Sequence, residues 1–426
     1  MKIHLAYGKN GLEVEVPENN LLKILSHGAA SPVQNPEETV RTALDGPIDS
    51  SSLRELSAGK RSAVIVICDI TRPVPNRILL PPILEILKKN GIDRSAITIL
   101  IATGLHRPST LEEIETMVGS EIAREYTIIS HKARVAEEQH YFGKTKRGTP
   151  VFIDKRYCSA GLKITLGFIE PHLMAGFSGG CKLIAPGCAG EETIKALHAP
   201  GILEHPDCRE GSIDNNPLHH ELLEIARMAG HDFIVNVSLN PNGQITGIFA
   251  GHPEHAHETG IRAVRTMVAA SVNKPADIVI TTSAGYPLDL TYYQAIKGLT
   301  ASLPAVKKGG MIILAAECAE GLGSPEFTAM AIKYSTADEF RSWMMANPVV
   351  VDQWQLEECA KVVRHAEVIL VSTGISPENL GKLFILSAAT VEEALQRGFQ
   401  ALGAGARVAV IPKGPYTLVN LENETQ

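Results

Sequence analysis

The sequence predicts an α/β protein of two domains, each a mainly parallel sheet wound with helices. Two observations carry this. From about Lys60 onward, short apolar runs alternate with amphipathic stretches, the pattern of strands joined by crossover helices. That rhythm breaks once, at a hairpin around Pro241, Asn242 and Gly243, and then a second series begins. A chain of 426 residues with 44% hydrophobic side chains is long enough for two or perhaps three domains of roughly 150 residues.

The elements follow in order. The first residues alternate apolar and polar around "KNG", which predicts a hairpin. "AVIVICDI" (63 to 70) reads as a buried strand, "NRILLPPILEILKKNG" (76 to 91) as a helix with a C-terminal glycine, and "ITILIATG" (97 to 104) as the next strand. "STLEEIETMVG" places Thr110 and Glu113 at capping-box spacing. "KITLGFIE" (163 to 170) is a third strand, "EETIKALH" (191 to 198) starts a helix, and "DFIVNVSLNPNGQITGIFAG" (232 to 251) is the hairpin. The second series has strands at 277 to 284, 311 to 317, 367 to 373 and 406 to 412. The expected division is 1–272 and 273–426, with the tail after about 412 free to return to the first domain.

Charge and composition narrow the function. The 47 acidic side chains outnumber the 40 basic ones, for a net charge of −7, and no block of like charge proposes a nucleic-acid surface. No leader and no apolar run of about 18 residues stands out, so a cytoplasmic, non-membrane protein is expected. The seven cysteines form no CxxC pair, which leaves neither a disulfide framework nor a thiolate zinc site. A small soluble substrate fits best.

In parallel sheets ligands bind beyond the carboxyl ends of strands, and polar residues gather there. Asp69 and Arg72 follow the first strand, His106 follows the second, and His172 follows the third. In the second half, "YPLDLTYYQAIKGL" puts Tyr293, Gln294 and Lys297 on one helical face. "AGFSGGCK", with Gly176, Ser178, Gly179, Gly180 and Lys182, resembles a phosphate cradle in which glycine N–H groups approach an anion. It is not a Walker motif, because Leu183 stands where Ser or Thr is required. "HPEHAH" (252 to 257) suggests a metal site, but His255 and His257 are two apart on a helix and point away from each other.

Taken together, "DITRPVP", "ATGLHRP", "EPHLMAGFSGGCKLIAPG", "ETIKALHAP", "YYQAIKG" and "DQWQ" resemble the lactate racemase family of nickel-pincer nucleotide-dependent 2-hydroxyacid racemases and epimerases. The resemblance spans most of the chain. It implies two α/β domains with an active-site cleft between them, and a cofactor, pyridinium-3,5-bisthiocarboxylic acid mononucleotide nickel, joined covalently to Lys182. It implies His198 as the nickel ligand, His106 and His172 as the proton-handling pair, and Arg72, Tyr293, Gln294 and Lys297 around the substrate. Asp69 and Trp354 are expected beside the cofactor, with Gly176, Ser178, Gly179 and Gly180. Enzymes that build the cofactor become necessary partners, and lactate is the first expected substrate.

Two other classes fit part of the pattern. A lyase or epimerase acting on a sugar acid through an enolate could use two histidines and a lysine, but would need carboxylate ligands for a hard cation, for which Asp69 stands alone. A nucleotide-sensing module would have no use for paired histidines.

Overall fold

In the computed structural model, which describes residues 1–26, 28 and 30–422, each series of strands forms a six-stranded sheet. The first runs in the order Ile245–Gly251, Phe233–Leu239, Lys163–Phe168, Ala63–Cys68, Ile97–Ala102, Thr127–Ser130. All neighbours are parallel except the terminal hairpin. Helices cover both faces, so the central strands are apolar throughout rather than alternating. The chain leaves Ala63–Cys68 toward one edge and returns at Lys163–Phe168 on its other side. This reversal of strand order opens a crevice at the carboxyl ends of those two strands, and Asp69, Arg72 and His172 follow them directly.

The second sheet runs Leu386–Ala388, Glu367–Val371, Val306–Ala315, Ala276–Thr282, Val408–Ile411, Leu21–Ile24, with every pair parallel. One face packs on helices Tyr292–Ser302 and Gln353–Val363. The other takes helix Val391–Leu402 and the hairpin Lys2–Leu5/Leu12–Glu15, which buries Ile3, Leu5, Val14 and Val16.

The division at residue 273 is therefore corrected at the N-terminus. Residues 1 to 24 pack with the second sheet, because alternation reveals a hairpin but not which sheet has an uncovered face for it. At the other end, Leu418–Leu421 pairs with Ala269–Val272, so the tail comes back to the strand that precedes the boundary. The edge strand Thr127–Ser130 and the hairpin Gln139–Lys144/Pro150–Asp154 carry too short or too mixed a pattern to be read from sequence. No helix among the described residues is long and apolar enough to cross a membrane.

Helix Gln353–Val363 buries charge. Glu357 has 0% exposure and neither carboxyl oxygen has a hydrogen-bond partner. Burial, reinforced by Glu358 and opposed by Lys361, pushes its pKa up to about 8. Burial likewise raises Glu358 to about 7, although its Oε1 accepts from Lys361 at 2.7 Å. A carboxyl whose folded pKa lies above its unfolded value binds more protons in the folded state, so its contribution to stability is lost as pH rises through that interval. The contribution of Glu357 and Glu358 to thermal stability is expected to fall between about pH 5 and 8, so Glu357→Gln is expected to gain stability relative to the parent as pH rises across that interval. A difference between variant and parent that stays constant with pH, followed by calorimetry, would remove Glu357 as a source of that fall.

Candidate active site

A cleft of about 210 Å³ lies between the strand ends of the first sheet and helices Tyr292–Ser302 and Gln353–Val363 of the second. Its walls include Asp69, Arg72, His106, His172, Ser178, Gly179, Lys182, His198, Tyr293, Gln294, Lys297 and Trp354. Strand-end loops supply the first seven. His198 is the C-cap of helix Glu191–Leu197. Thr291 caps helix Tyr292–Ser302 by accepting from the Gln294 N–H, and the spacing then points Tyr293, Gln294 and Lys297 into the same cleft.

The hydrogen-bond partners fix the tautomers of the three histidines. His106 Nδ1 lies 2.6 Å from Asp69 Oδ2. Burial opposes charge on Asp69, but His106 and Thr71 hold its pKa below the usual carboxylate value. An ionised carboxylate can only accept, so Nδ1 carries a proton, and the neutral form of the ring has its lone pair on Nε2. His198 Nδ1 donates to the Ile194 carbonyl at 2.7 Å, which likewise leaves Nε2 as an acceptor. Burial lowers its pKa to about 4, so the ring is neutral at physiological pH. His172 is reversed: its Nδ1 accepts from the N–H groups of Met174 at 3.3 Å and Ala175 at 3.1 Å. Its one ring proton is on Nε2. Burial, with Lys182, Arg72 and Lys297 nearby, depresses its pKa strongly and disfavours a second proton.

Three cationic side chains share the cleft. Burial, with Arg72 adding to it, lowers Lys182 to about 8 and Lys297 to about 7. Burial works against charge on Arg72, but Glu170 together with Cys68, Asp69 and Tyr416 outweighs it and holds the guanidinium pKa above its usual value. Trp354 Nε1 donates to Tyr293 Oη at 3.2 Å, and the indole lies against the His198 ring with centroids 4.5 Å apart.

Two predicted cradle residues lie outside the cleft. Gly176 pairs with His172 across a two-residue hairpin, at φ +79° and hard against the Ser212 carbonyl. The Gly180 N–H donates to Asn236 Oδ1 at 2.8 Å, and a Cβ there would come within 2.5 Å of the His257 ring. These glycines are required by close packing beneath the loop. Gly179, at φ +81°, does line the cleft. The loop is closed by Ser178, whose N–H donates to the Glu170 carbonyl at 2.9 Å and whose Oγ donates to the Phe168 carbonyl at 2.6 Å. His257 Nε2 donates to the Ser178 carbonyl at 2.8 Å, so this member of "HPEHAH" braces the lysine loop. Among the described residues no group of three or more His, Cys, Asp or Glu is arranged to hold a metal ion.

The sequence reading missed Glu170, Asn236, His257 and Gln355. Glu170 stands two residues before His172, a position that could have singled it out. Gln355 lines the cleft with a buried, unpartnered Nε2, and nothing in a helical pattern marks that.

Comparison with known proteins places the chain in a family and matches its fold. Residues 7–211 match the family model of the lactate racemase N-terminal domain, and residues 271–419 that of the lactate racemase C-terminal domain. The chain is 37% identical to a lactate racemase of Thermoanaerobacterium thermosaccharolyticum over 98% of its length and 99% of the relative's. It is 36% identical to a lactate racemase of Lactiplantibacillus plantarum over the same shares. The structure of the lactate racemase apoprotein from T. thermosaccharolyticum superposes with a TM-score of 0.93 at 35% identity, covering 99% of this chain and 100% of that one. A Thermotoga maritima protein, 18% identical with a TM-score of 0.69, shares the fold over 93% of this chain and 100% of its own. Fold and site thus define an isomerase of the racemase type built from two α/β domains. The chain belongs to the lactate racemase family.

The tautomers are open to direct measurement. In ¹⁵N-histidine spectra of the protein as isolated, His106 and His198 are expected to carry their proton on Nδ1 and His172 on Nε2. Asp69→Asn is expected to disturb the His106 signals alone. A proton on Nδ1 of His172 would contradict the amide geometry described above.

Proposed function

We propose that the chain inverts the α-carbon of a 2-hydroxyacid, with lactate the first substrate to test, and that it works with a nickel-pincer nucleotide attached to Lys182. The observation that carries this reading is His198: a neutral imidazole with Nδ1 committed to a carbonyl and Nε2 left as a lone pair, in the same cleft as a buried lysine of reduced basicity. Imidazole nitrogen suits nickel, and an amine that gives up its proton near pH 8 suits covalent attachment. Ser178 and Gly179 line the cleft with Lys182, and Trp354 covers His198.

When bound, the group supplies a hydride acceptor and donor, which avoids forming a carbanion beside an ionised carboxylate. The remaining work falls to side chains of the chain itself. Arg72 and Lys297 hold the substrate carboxylate, the guanidinium through its planar fork, while Tyr293 and Gln294 adjoin from the same helix. The His106 lone pair, oriented by Asp69, takes the hydroxyl proton. His172 lines the same cleft and is placed to handle the proton of the mirror-related hydroxyl. A ring takes that proton as neutral imidazole and returns it as imidazolium. For His172 this requires Nδ1 to release the amide contacts of Met174 and Ala175, because a neutral ring that gave up its single Nε2 proton would become an imidazolate.

Co-expression with cofactor-building enzymes and assay of a 2-hydroxyacid panel tests the reading. Racemisation is expected, with loss in both directions on replacing either His106 or His172 by Ala. The intact mass should show an adduct that is absent from Lys182→Ala, and His198→Ala should lose nickel while keeping its fold. With substrate deuterated at the α-carbon, the label should largely remain in the product. Washout at the rate of racemisation would favour the enolate mechanism instead.

The pH dependence has a definite sign. Lys297 is lowered to about 7, so in the free enzyme its charge is present below that pH and lost above it. The KM for a carboxylate substrate is therefore expected to climb above about pH 7, by up to about tenfold per unit. A KM independent of pH up to 9 would take Lys297 out of carboxylate binding.

A further inference from the structure

We propose that Glu170 is a positioning residue that aims Arg72 into the cleft and sets the charge balance among Arg72, Lys182 and Lys297. Its carboxylate Oε1 lies 3.3 Å from Arg72 Nε. It does not line the cleft. It faces a small adjoining cavity of about 30 Å³ whose walls include Arg72, His172, Lys297 and Tyr416. That volume suits about one water molecule. The carboxylate reaches Arg72 from outside the cleft wall.

The geometry of Arg72 gives this position its meaning. The guanidinium is held through Nε by Glu170, and Nη1 donates to the Thr71 carbonyl at 3.3 Å. Three of its five N–H bonds, one on Nη1 and two on Nη2, are left by these two contacts, which suffices for a bidentate hold on a carboxylate. The backbone of Glu170 is fixed as well, because Ser178 bonds both its N–H and its carbonyl. An anchored carboxylate thus orients a long cation that would otherwise sample many rotamers.

The same carboxylate acts electrostatically on the two lysines. Glu170 favours charge on Lys182 and Lys297, whereas Arg72 disfavours it on both. The two halves of this ion pair therefore pull Lys182 in opposite directions. Removing either one has a distinct signature that general damage to the fold does not produce.

The test uses the protein free of cofactor, with a small amine-reactive ester and peptide mass spectrometry to follow acylation of Lys182 against pH. The parent midpoint is expected near 8, moving down in Glu170→Gln and up in Arg72→Gln, with Glu170→Asp close to the parent. Shifts in the same direction, or none in either variant, would overturn the proposal. This readout does not depend on the proposed racemase chemistry, so the two can fail separately. In the loaded enzyme, which does rest on that reading, Glu170→Gln is expected to raise KM for the hydroxyacid roughly tenfold, with kcat changed by less than about threefold. A fall in kcat at unchanged KM would show that Glu170 acts on the chemical step rather than on the placement of Arg72.

Discussion

Burial of Arg72, Lys182 and Lys297 in one cleft, with repulsion among them added, is the constraint on which the other features of the site depend. Taking a charge out of water is costly unless it is paired or neutralised. The lysines respond by becoming weaker bases, at about 8 and about 7, through burial first and Arg72 second. Arginine has no such route, since its guanidinium stays charged at any physiological pH, and it takes a counter-ion in Glu170. The cleft that results favours anionic ligands, because each negative charge brought in lowers the repulsion already present.

That electrostatic arrangement needs a loop that does not relax away from it. The segment from Phe168 to Lys182 is held by four polar contacts: Ser178 to the Phe168 and Glu170 carbonyls, Gly180 N–H to Asn236, and His257 to the Ser178 carbonyl. Each satisfies a backbone group that burial would otherwise leave unpaired, at roughly 1 to 3 kcal/mol apiece. Gly180 has no side chain because the imidazole of His257 occupies the volume where a Cβ would sit. The glycine-rich appearance of the sequence thus reports two things: room for backbone at the cleft for Gly179, and packing under the loop for Gly176 and Gly180.

Much of this was legible in the sequence. The alternation of apolar runs gave the central strands of both sheets to within a few residues but not the edge strands Thr127–Ser130, Leu386–Ala388 and Leu21–Ile24, and the carboxyl ends of the strands it gave led to Asp69, Arg72, His106 and His172. Helical spacing brought Tyr293, Gln294 and Lys297 to one face. The missed features depend on contacts between distant parts of the chain. Nothing local tells that Leu21–Ile24 adds to a sheet whose other strands begin some 250 residues later, because its edge position is decided by the exposed side of Val408–Ile411. Asn236 and His257 read as a strand polar and a helix-start histidine, and only folding brings them under the lysine loop. Glu170 looked like the polar end of a strand until its distance from Arg72 was known.

Trp354 shows why the cleft needs both domains. It lies on a helix that packs on the second sheet, yet its indole is buried in the hydrophobic cluster of the first domain, together with Leu183, Ile194 and Leu197. One face of the ring rests on His198 and its Nε1 donates to Tyr293. The ring thereby ties a proposed metal ligand of one domain to a proposed substrate residue of the other. Separating the domains would expose the indole and take it away from His198. Burial of an aromatic of this size contributes on the order of 2 to 3 kcal/mol, enough to bias the junction toward the arrangement in which the cations, the histidines and the helix face of the second domain meet.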